Sequence, residues 1–258
     1  MGEVDIVKLA ILCVVIGFAQ FVDAIAGGGG TVSAPAYLAL GFPPHITIGT
    51  AKCSGVIASA VTVLRFGRQK LFDVKLAAFA AAACFAGSTI GAQLALRISE
   101  RVLQMIMMTV LPVIAFYLIT RKSGQAGEVP EEKMVLSREG LIKGTILAFA
   151  IGIYEGLLGP GTGTFLILIF TGVLGLDMLT AAGTAKMVNY AGTMAGFISF
   201  LMNGQVLIAY AIPTALCGMV GGYIGSGLAL KSGEKIIRPM MLVVVGLLFA
   251  KIIYDFFS

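Results

Sequence analysis

The chain has 258 residues, of which 58% are hydrophobic and only 12% are charged, and its mean hydropathy is +0.99. A soluble domain carries about 25% charged residues, so this composition excludes an ordinary water-soluble protein and predicts a surface that faces lipid. The net charge of +5 does not indicate nucleic-acid binding, because the basic residues lie in short runs between apolar segments, as topology-setting charges do. The four cysteines form no CxxC pair, and the sequence predicts neither a metal site nor a cofactor.

Apolar segments long enough to cross a bilayer follow one another along the chain. A transmembrane helix needs about 20 apolar residues, and the uninterrupted segments of that length are 46–65, 74–96, 102–120, 180–201, 205–230 and 236–254. Two further apolar stretches, 4–41 and 141–176, are interrupted by glycine-rich sequences. Glycine disfavours a continuous helix, and Pro160 in the second interruption removes a backbone donor. Both stretches are therefore predicted to be broken helices or re-entrant hairpins.

The two parts of the chain resemble each other at an offset of 132 to 134 residues. Gly49-Thr50-Ala51-Lys52 recurs without change as Gly183-Thr184-Ala185-Lys186, and Asp23 before the first glycine break matches Glu155 before the second. The sequence therefore predicts two internal repeats, residues 1–122 and 141–258, joined by a hydrophilic linker over 123–140. Each repeat is expected to contain a broken or re-entrant first helix and three transmembrane helices.

The orientation of the repeats depends on the broken segments. If each broken segment returns to its own side of the membrane, each half crosses three times and the repeats are inverted, whereas full crossings would make them parallel. The distribution of Lys and Arg over the loops favours the inverted arrangement by a small margin. We therefore expect an all-α polytopic membrane protein with an inverted repeat, an architecture typical of secondary transporters.

Four ionisable residues are predicted to lie inside the membrane: Asp23, Glu155, Lys52 and Lys186. Charge at that depth is costly, so such residues usually mark a functional site. Two lysines that meet where the repeats meet would suit an anion, and the carboxylates, which repel an anion, would control coupling. The alternative is a structural ion pair within each half, Asp23 with Lys52 and Glu155 with Lys186.

The glycine breaks supply a second device for binding an anion. A helix that begins near Thr31 or Thr164 presents unpaired N–H groups and a partial positive charge at that end. The alternative is that the glycines only allow close helix packing. The candidate substrate-binding residues at the breaks are Gly28, Gly29, Gly30, Thr31, Gly161, Thr162, Gly163 and Thr164.

Three further residues complete the candidate substrate site. Thr50 and Thr184 belong to the repeated motif, and Asn189 lies about one helical turn after Lys186. Asn189 could instead bond a neighbouring helix. His45, the single histidine, is expected to lie at the membrane interface rather than in a proton relay.

These motifs resemble the sulfite exporter TauE/SafE family of membrane permeases. The resemblance is carried by Phe21 to Gly30, Gly41 to His45, Tyr154 to Thr164 and the two Gly-Thr-Ala-Lys motifs, and it covers nearly the whole chain. It implies export of a small sulfur-containing anion, such as sulfite or an organosulfonate, by a multi-pass protein of the prokaryotic plasma membrane. The chain differs in one place, because the family often has aspartate where this chain has Glu155.

The function predicted from the sequence is a secondary transporter of a small anion, with a site at the interface of the two repeats. A passive anion channel is the nearest alternative, and transport against a gradient would distinguish the two. An intramembrane enzyme is the other alternative, because Ser54 lies near Lys52. Residues two apart on a helix do not face each other, and no hydrolase or protease motif is present, so we expect no enzyme.

Overall fold

The computed structural model describes residues 4–103, 105, 137–241, 243 and 244, which are helical apart from short connections. The helices are α1 (Ile6–Ala26), α2 (Gly30–Ala39), α3 (Pro44–Arg68), α4 (Val74–Arg97), α5 (Arg138–Leu157), α6 (Thr162–Gly172), α7 (Met178–Met202) and α8 (Ile208–Ser232). Residues 234–241 are also helical. Most of the predicted spans 102–120 and 236–254 and most of the linker 123–140 lie outside the described residues.

The all-α membrane class is confirmed. Helices α3, α4, α7 and α8 coincide with the predicted spans 46–65, 74–96, 180–201 and 205–230. Among the described helices, α1, α3, α4, α5 and α8 are long and apolar enough to cross a membrane. Helices α2 and α6 have 10 and 11 residues, and at a rise of 1.5 Å per residue they are about 15 to 17 Å long, too short to cross a core of about 30 Å.

Both broken segments fold back as hairpins. In the first, the Lys8 ammonium near the start of α1 donates to the backbone oxygen of Leu40, just after α2, at 3.0 Å. In the second, Gly144 near the start of α5 packs against the Leu174 side chain, just after α6. Each segment therefore returns towards the end of the bundle from which it started, with the glycine break at the tip of the hairpin.

Helices at equivalent positions in the two halves run in opposite directions. Gly49 near the start of α3 lies against Phe200 near the end of α7, and Phe66 near the end of α3 lies against Gly183 near the start of α7. Helices α1 and α8 run parallel to α3, whereas α4 and α5 run parallel to α7. The contacts that fix these directions are Gly17–Gly221 and Phe21–Gly225 for α1 with α8, Ala58–Gly218 and Arg65–Gly227 for α3 with α8, Gly87–Phe149 and Gly91–Ile153 for α4 with α5, and Asp73–Thr184 and Cys84–Gly192 for α4 with α7.

The two halves pack together around a shared apolar cluster. Helix α4 of the first half packs along α5 of the second, and α8 of the second half packs along α1 of the first. The largest group of buried apolar side chains accordingly combines Val22 and Phe66 with Leu166 and Ala182. This interlocking brings the tips of the two hairpins together at the centre of the bundle, where the candidate site lies.

Candidate functional site

The two glycine breaks pack directly against each other. Gly27 and Gly159 both adopt left-handed backbone angles, with φ of +77° and +93°, which a side chain would disfavour. A Cβ atom added to Gly163 would lie 2.6 Å from the Gly27 Cα atom, and the Thr164 hydroxyl donates to the Ala26 backbone oxygen at 2.8 Å. Close backbone packing, the alternative considered for these glycines, therefore explains Gly27 and Gly163.

The threonines at the breaks have backbone partners. Helices α2 and α6 begin at Gly30 and Thr162, close to the predicted starts. The Thr31 hydroxyl donates to Gly28 O and the Thr162 hydroxyl donates to Gly159 O, each at 2.7 Å. These hydroxyl groups therefore stabilise the turns that lead into α2 and α6, and their hydrogens point to the backbone rather than to a ligand.

Each buried lysine pairs with a carboxylate of the other half. The Lys52 ammonium lies 2.8 Å from Glu155 Oε1, and the Lys186 ammonium lies 3.6 Å from Asp23 Oδ2. The alternative of ion pairs within each half, Asp23 with Lys52 and Glu155 with Lys186, is therefore wrong. The lysines pair with carboxylates of the other half because the two hairpin tips cross. This crossing places each carboxylate against the lysine-bearing helix of the other half.

Both ion pairs are buried and held by further hydrogen bonds. Each lysine also donates to the backbone oxygen of its partner carboxylate residue, close to the C-terminal end of α1 or α5, where unpaired carbonyl groups favour a cation. Glu155 Oε1 accepts from the Thr193 hydroxyl at 3.0 Å, and Asp23 Oδ1 accepts from Gly29 N at 3.1 Å. Removing one partner of such a pair costs about 3 to 5 kcal/mol, because the other charge stays buried.

Thr50 and Thr184 hold loops of the opposite half. Thr50 Oγ1 accepts from Leu207 N at 3.0 Å, and Thr184 Oγ1 accepts from Asp73 N at 3.1 Å. Leu207 and Asp73 immediately precede α8 and α4. The glycine before each threonine lies against a backbone carbonyl of the same loop. In both copies of the motif, the glycine and the threonine contact a loop of the other half, and the lysine contacts a carboxylate of the other half.

A cavity of about 70 Å³ lies beside the Lys52–Glu155 pair. Both carboxylates, Glu155 and Asp23, contribute to its wall, as do Gly27 and Gly30, but Lys186 does not. Of the residues predicted to bind substrate, the cavity thus brings together Lys52, Gly30 and Asn189. Neutral polar side chains complete the wall, and they are Gln20, Ser33, Ser59, Asn189 and Thr193.

Asn189 differs from the other polar residues of the wall. Its Oδ1 atom is buried and has no hydrogen-bond partner among the described residues. An unpaired buried amide oxygen costs about 1 to 3 kcal/mol, so a ligand or water that donates to it would remove this cost. The equivalent residue of the first half is Gly55, which also lines the cavity.

The sequence contained a signal for two of the residues that were missed. Ser59 follows Lys52 by seven residues, and Thr193 follows Lys186 by seven residues. Seven residues are close to two turns of a helix, so each hydroxyl lies on the same face as the lysine before it. Gln20 could have been found by the same reasoning, because it precedes Asp23 by about one turn of α1.

A bundle of membrane-spanning helices around a central cavity and two buried ion pairs is the architecture of a membrane transport protein. The model of the sulfite exporter TauE/SafE family matches residues 12–252. The chain therefore belongs to this family.

The chain is also similar to several curated proteins along almost its whole length. A probable membrane transporter protein of Haemophilus influenzae is 32% identical, with 98% of this chain and 97% of that protein covered. Probable membrane transporter protein ORF9 of a Sinorhizobium species is 34% identical over 92% of this chain and 88% of that protein. Probable membrane transporter protein YfcA of Escherichia coli is 32% identical over 96% and 90%. No solved structure matches the chain. The chain is a membrane transporter of a small molecule, and its relatives are described as transporters rather than enzymes.

Proposed function

We propose that the chain exports a small sulfur-containing oxyanion, such as sulfite or an organosulfonate, across the plasma membrane of a prokaryote. The observation that carries the proposal is the buried Lys52 ammonium on the wall of a cavity between the two halves. The family description supplies the substrate class, and Lys52 is the cationic group on the cavity wall to which an anion would bind.

The charges of the site determine how an anion enters it. Among the described residues, the two lysines and two carboxylates of the site balance each other. An anion at Lys52 must therefore displace the Glu155 carboxylate or arrive together with a proton on it. Uncompensated charge inside a membrane is costly, so we propose that Glu155 and Asp23 link anion binding to proton binding, while Lys52, the lysine on the cavity wall, binds the anion.

The membrane potential favours export of an anion that moves without a co-transported proton. An interior-negative potential drives such an anion outwards with about 2.3 kcal/mol per charge and 100 mV. Co-transport of a sulfonate with one proton is electroneutral, and its direction then depends on the gradients of the anion and of the proton.

Reconstitution into proteoliposomes tests the proposal. Vesicles loaded with sulfite, methanesulfonate, sulfate or chloride are given a potential that drives anions outwards, and release is followed at several pH values. We expect faster release of sulfite and methanesulfonate than of chloride, and loss of this release in Lys52→Met. The matched control is Lys143→Met, because Lys143 is exposed on α5 in an ion pair with Glu139. Equal release from Lys52→Met and wild-type vesicles would contradict the proposed site.

The same vesicles distinguish a transporter from the passive channel. A proton gradient without a membrane potential should drive accumulation of the anion if carboxylate protonation is coupled to its movement. A channel would only equilibrate the anion, whatever the proton gradient.

A further inference from the structure

The wall of the cavity reaches closer to one end of the bundle than to the other. We call the end at which α3 begins the first face and the end at which α7 begins the second face. Ile48 and Ala51 of α3 line the cavity on the side of the first face. Their equivalents on α7, Ala182 and Ala185, do not line the cavity. Ala51 is half-buried, whereas Ala185 is fully buried. The structure is therefore asymmetric, although equivalent residues of the two halves make equivalent contacts.

The two ion pairs lie at different depths. The contacts between the antiparallel helices α3 and α7 place Lys186 level with about Val63 of α3. At a rise of 1.5 Å per residue, the Cα atoms of Lys52 and Lys186 are then about 16 Å apart along the helix axes. Lys52 is closer to the first face and Lys186 is closer to the second face. Each ion pair is thus positioned to control one side of the pathway.

We propose that the Lys186–Asp23 pair seals the pathway to the second face in this structure, and that the two ion pairs exchange roles in a second conformation. This inference rests on the proposed transport function. In the second conformation Ala182, Ala185 and Lys186 line the cavity, and the Lys52–Glu155 pair becomes the seal towards the first face.

Three features of the described residues support the exchange. Asp23 lines the cavity although its partner Lys186 does not, so one residue links the open region to the sealed region. Each pair joins the two halves, so a movement of one half relative to the other changes both pairs together. The left-handed glycines Gly27 and Gly159 occupy equivalent positions in the two hairpin tips, so both conformations use the same kind of turn.

Cysteine labelling in oriented membrane vesicles tests this inference on the full-length protein. Ala51→Cys and Ala185→Cys form a matched pair, because the two alanines are equivalent in the repeated motif, and Ile48→Cys with Ala182→Cys form a second pair. A membrane-impermeant cationic methanethiosulfonate reagent is added from one side or the other. The buffer contains methanesulfonate as the transported anion. Sulfite is left out because it reacts with the disulfide that the reagent forms with the cysteine. The background protein has alanine in place of the native cysteines, which are Cys13, Cys53, Cys84 and Cys217.

We expect Ala51→Cys to react from the side of the first face and Ala185→Cys to react, more slowly, from the opposite side. Lys186→Met removes the seal and should increase the labelling rate of Ala185→Cys by about tenfold, which corresponds to about 1.4 kcal/mol. Lys52→Met removes the seal of the other conformation and should lower that rate. Because opposite effects are expected from the two lysine substitutions, general unfolding cannot produce the pattern.

Labelling of Ala51→Cys and Ala185→Cys from the same side would overturn the inference, and so would equal effects of Lys52→Met and Lys186→Met. The second cysteine pair repeats the test if either first-pair variant does not fold. Labelling from opposite sides in a protein that releases no sulfite or sulfonate would overturn the proposed substrate and leave the exchange of seals intact. Release of sulfonate by a protein in which both cysteines are labelled from the same side would overturn the exchange of seals and leave the proposed substrate intact.

Discussion

Replacing Glu155 by glutamine removes the negative charge that competes with an anion for Lys52. In the structure Glu155 Oε1 accepts hydrogen bonds from the Lys52 ammonium at 2.8 Å and from the Thr193 hydroxyl at 3.0 Å. Glutamine has nearly the same size and can keep the bond from Thr193, so the substitution chiefly changes charge. If an anion must displace this carboxylate, Glu155→Gln should bind anions more tightly than the wild-type protein.

The size of the gain follows from the bond that is lost. A hydrogen bond to a charged group contributes about 1.5 to 3 kcal/mol, and about 1.4 kcal/mol corresponds to a factor of ten. Since the glutamine oxygen can still accept weakly from Lys52, we expect the lower end of this range, an increase of about tenfold in methanesulfonate affinity. The empty variant should be less stable than the wild type, because Lys52 remains buried without a carboxylate.

Calorimetric titration and thermal unfolding of purified protein measure both effects. The buffer should contain gluconate instead of chloride, so that no small anion occupies the site. Methanesulfonate should raise the unfolding temperature of Glu155→Gln more than that of the wild type. Glu139→Gln is the matched control, because Glu139 lies on the same helix and pairs with Lys143 at 2.6 Å in solvent. Unchanged or weaker affinity in folded Glu155→Gln would refute the competition between the carboxylate and the anion.

Three further predictions concern the other residues of the site. Lys52→Met should weaken methanesulfonate binding by about 2 kcal/mol or more, measured by calorimetry, whereas Lys70→Met in an exposed loop should leave it unchanged because solvent screens that charge. Asp23→Asn should flatten the pH dependence of transport in proteoliposomes and change anion binding less than Lys52→Met does, and an unchanged pH profile would leave Asp23 a purely structural role. Thr50→Val and Thr184→Val should each lower the free energy of unfolding by about 1 to 3 kcal/mol, because each leaves a backbone N–H without its acceptor. Clearly unequal losses, measured by denaturation in detergent, would contradict the equivalence of these two contacts.

Much of the fold could be predicted from the sequence because a bilayer imposes a one-dimensional constraint. Each spanning helix needs about 20 apolar residues, so the apolar segments predicted α3, α4, α7 and α8 within a few residues. The hairpin breaks were visible because glycines interrupt both apolar stretches, and Gly27 and Gly159 there adopt backbone angles that other residues disfavour. The four buried charged residues were visible because charge within an apolar segment is rare and costly.

The sequence alone determined which residues lie inside the membrane and which charged groups must find partners there. Only the tertiary structure decided which partners meet, because antiparallel helices and crossing hairpin tips bring together residues more than 100 positions apart. It paired Lys52 with Glu155 and Lys186 with Asp23, and it turned Thr50 and Thr184 towards the loops of the opposite half. The physical reason is that the hydropathy of a segment fixes its depth in the membrane, whereas its rotation and its neighbours depend on how the helices pack.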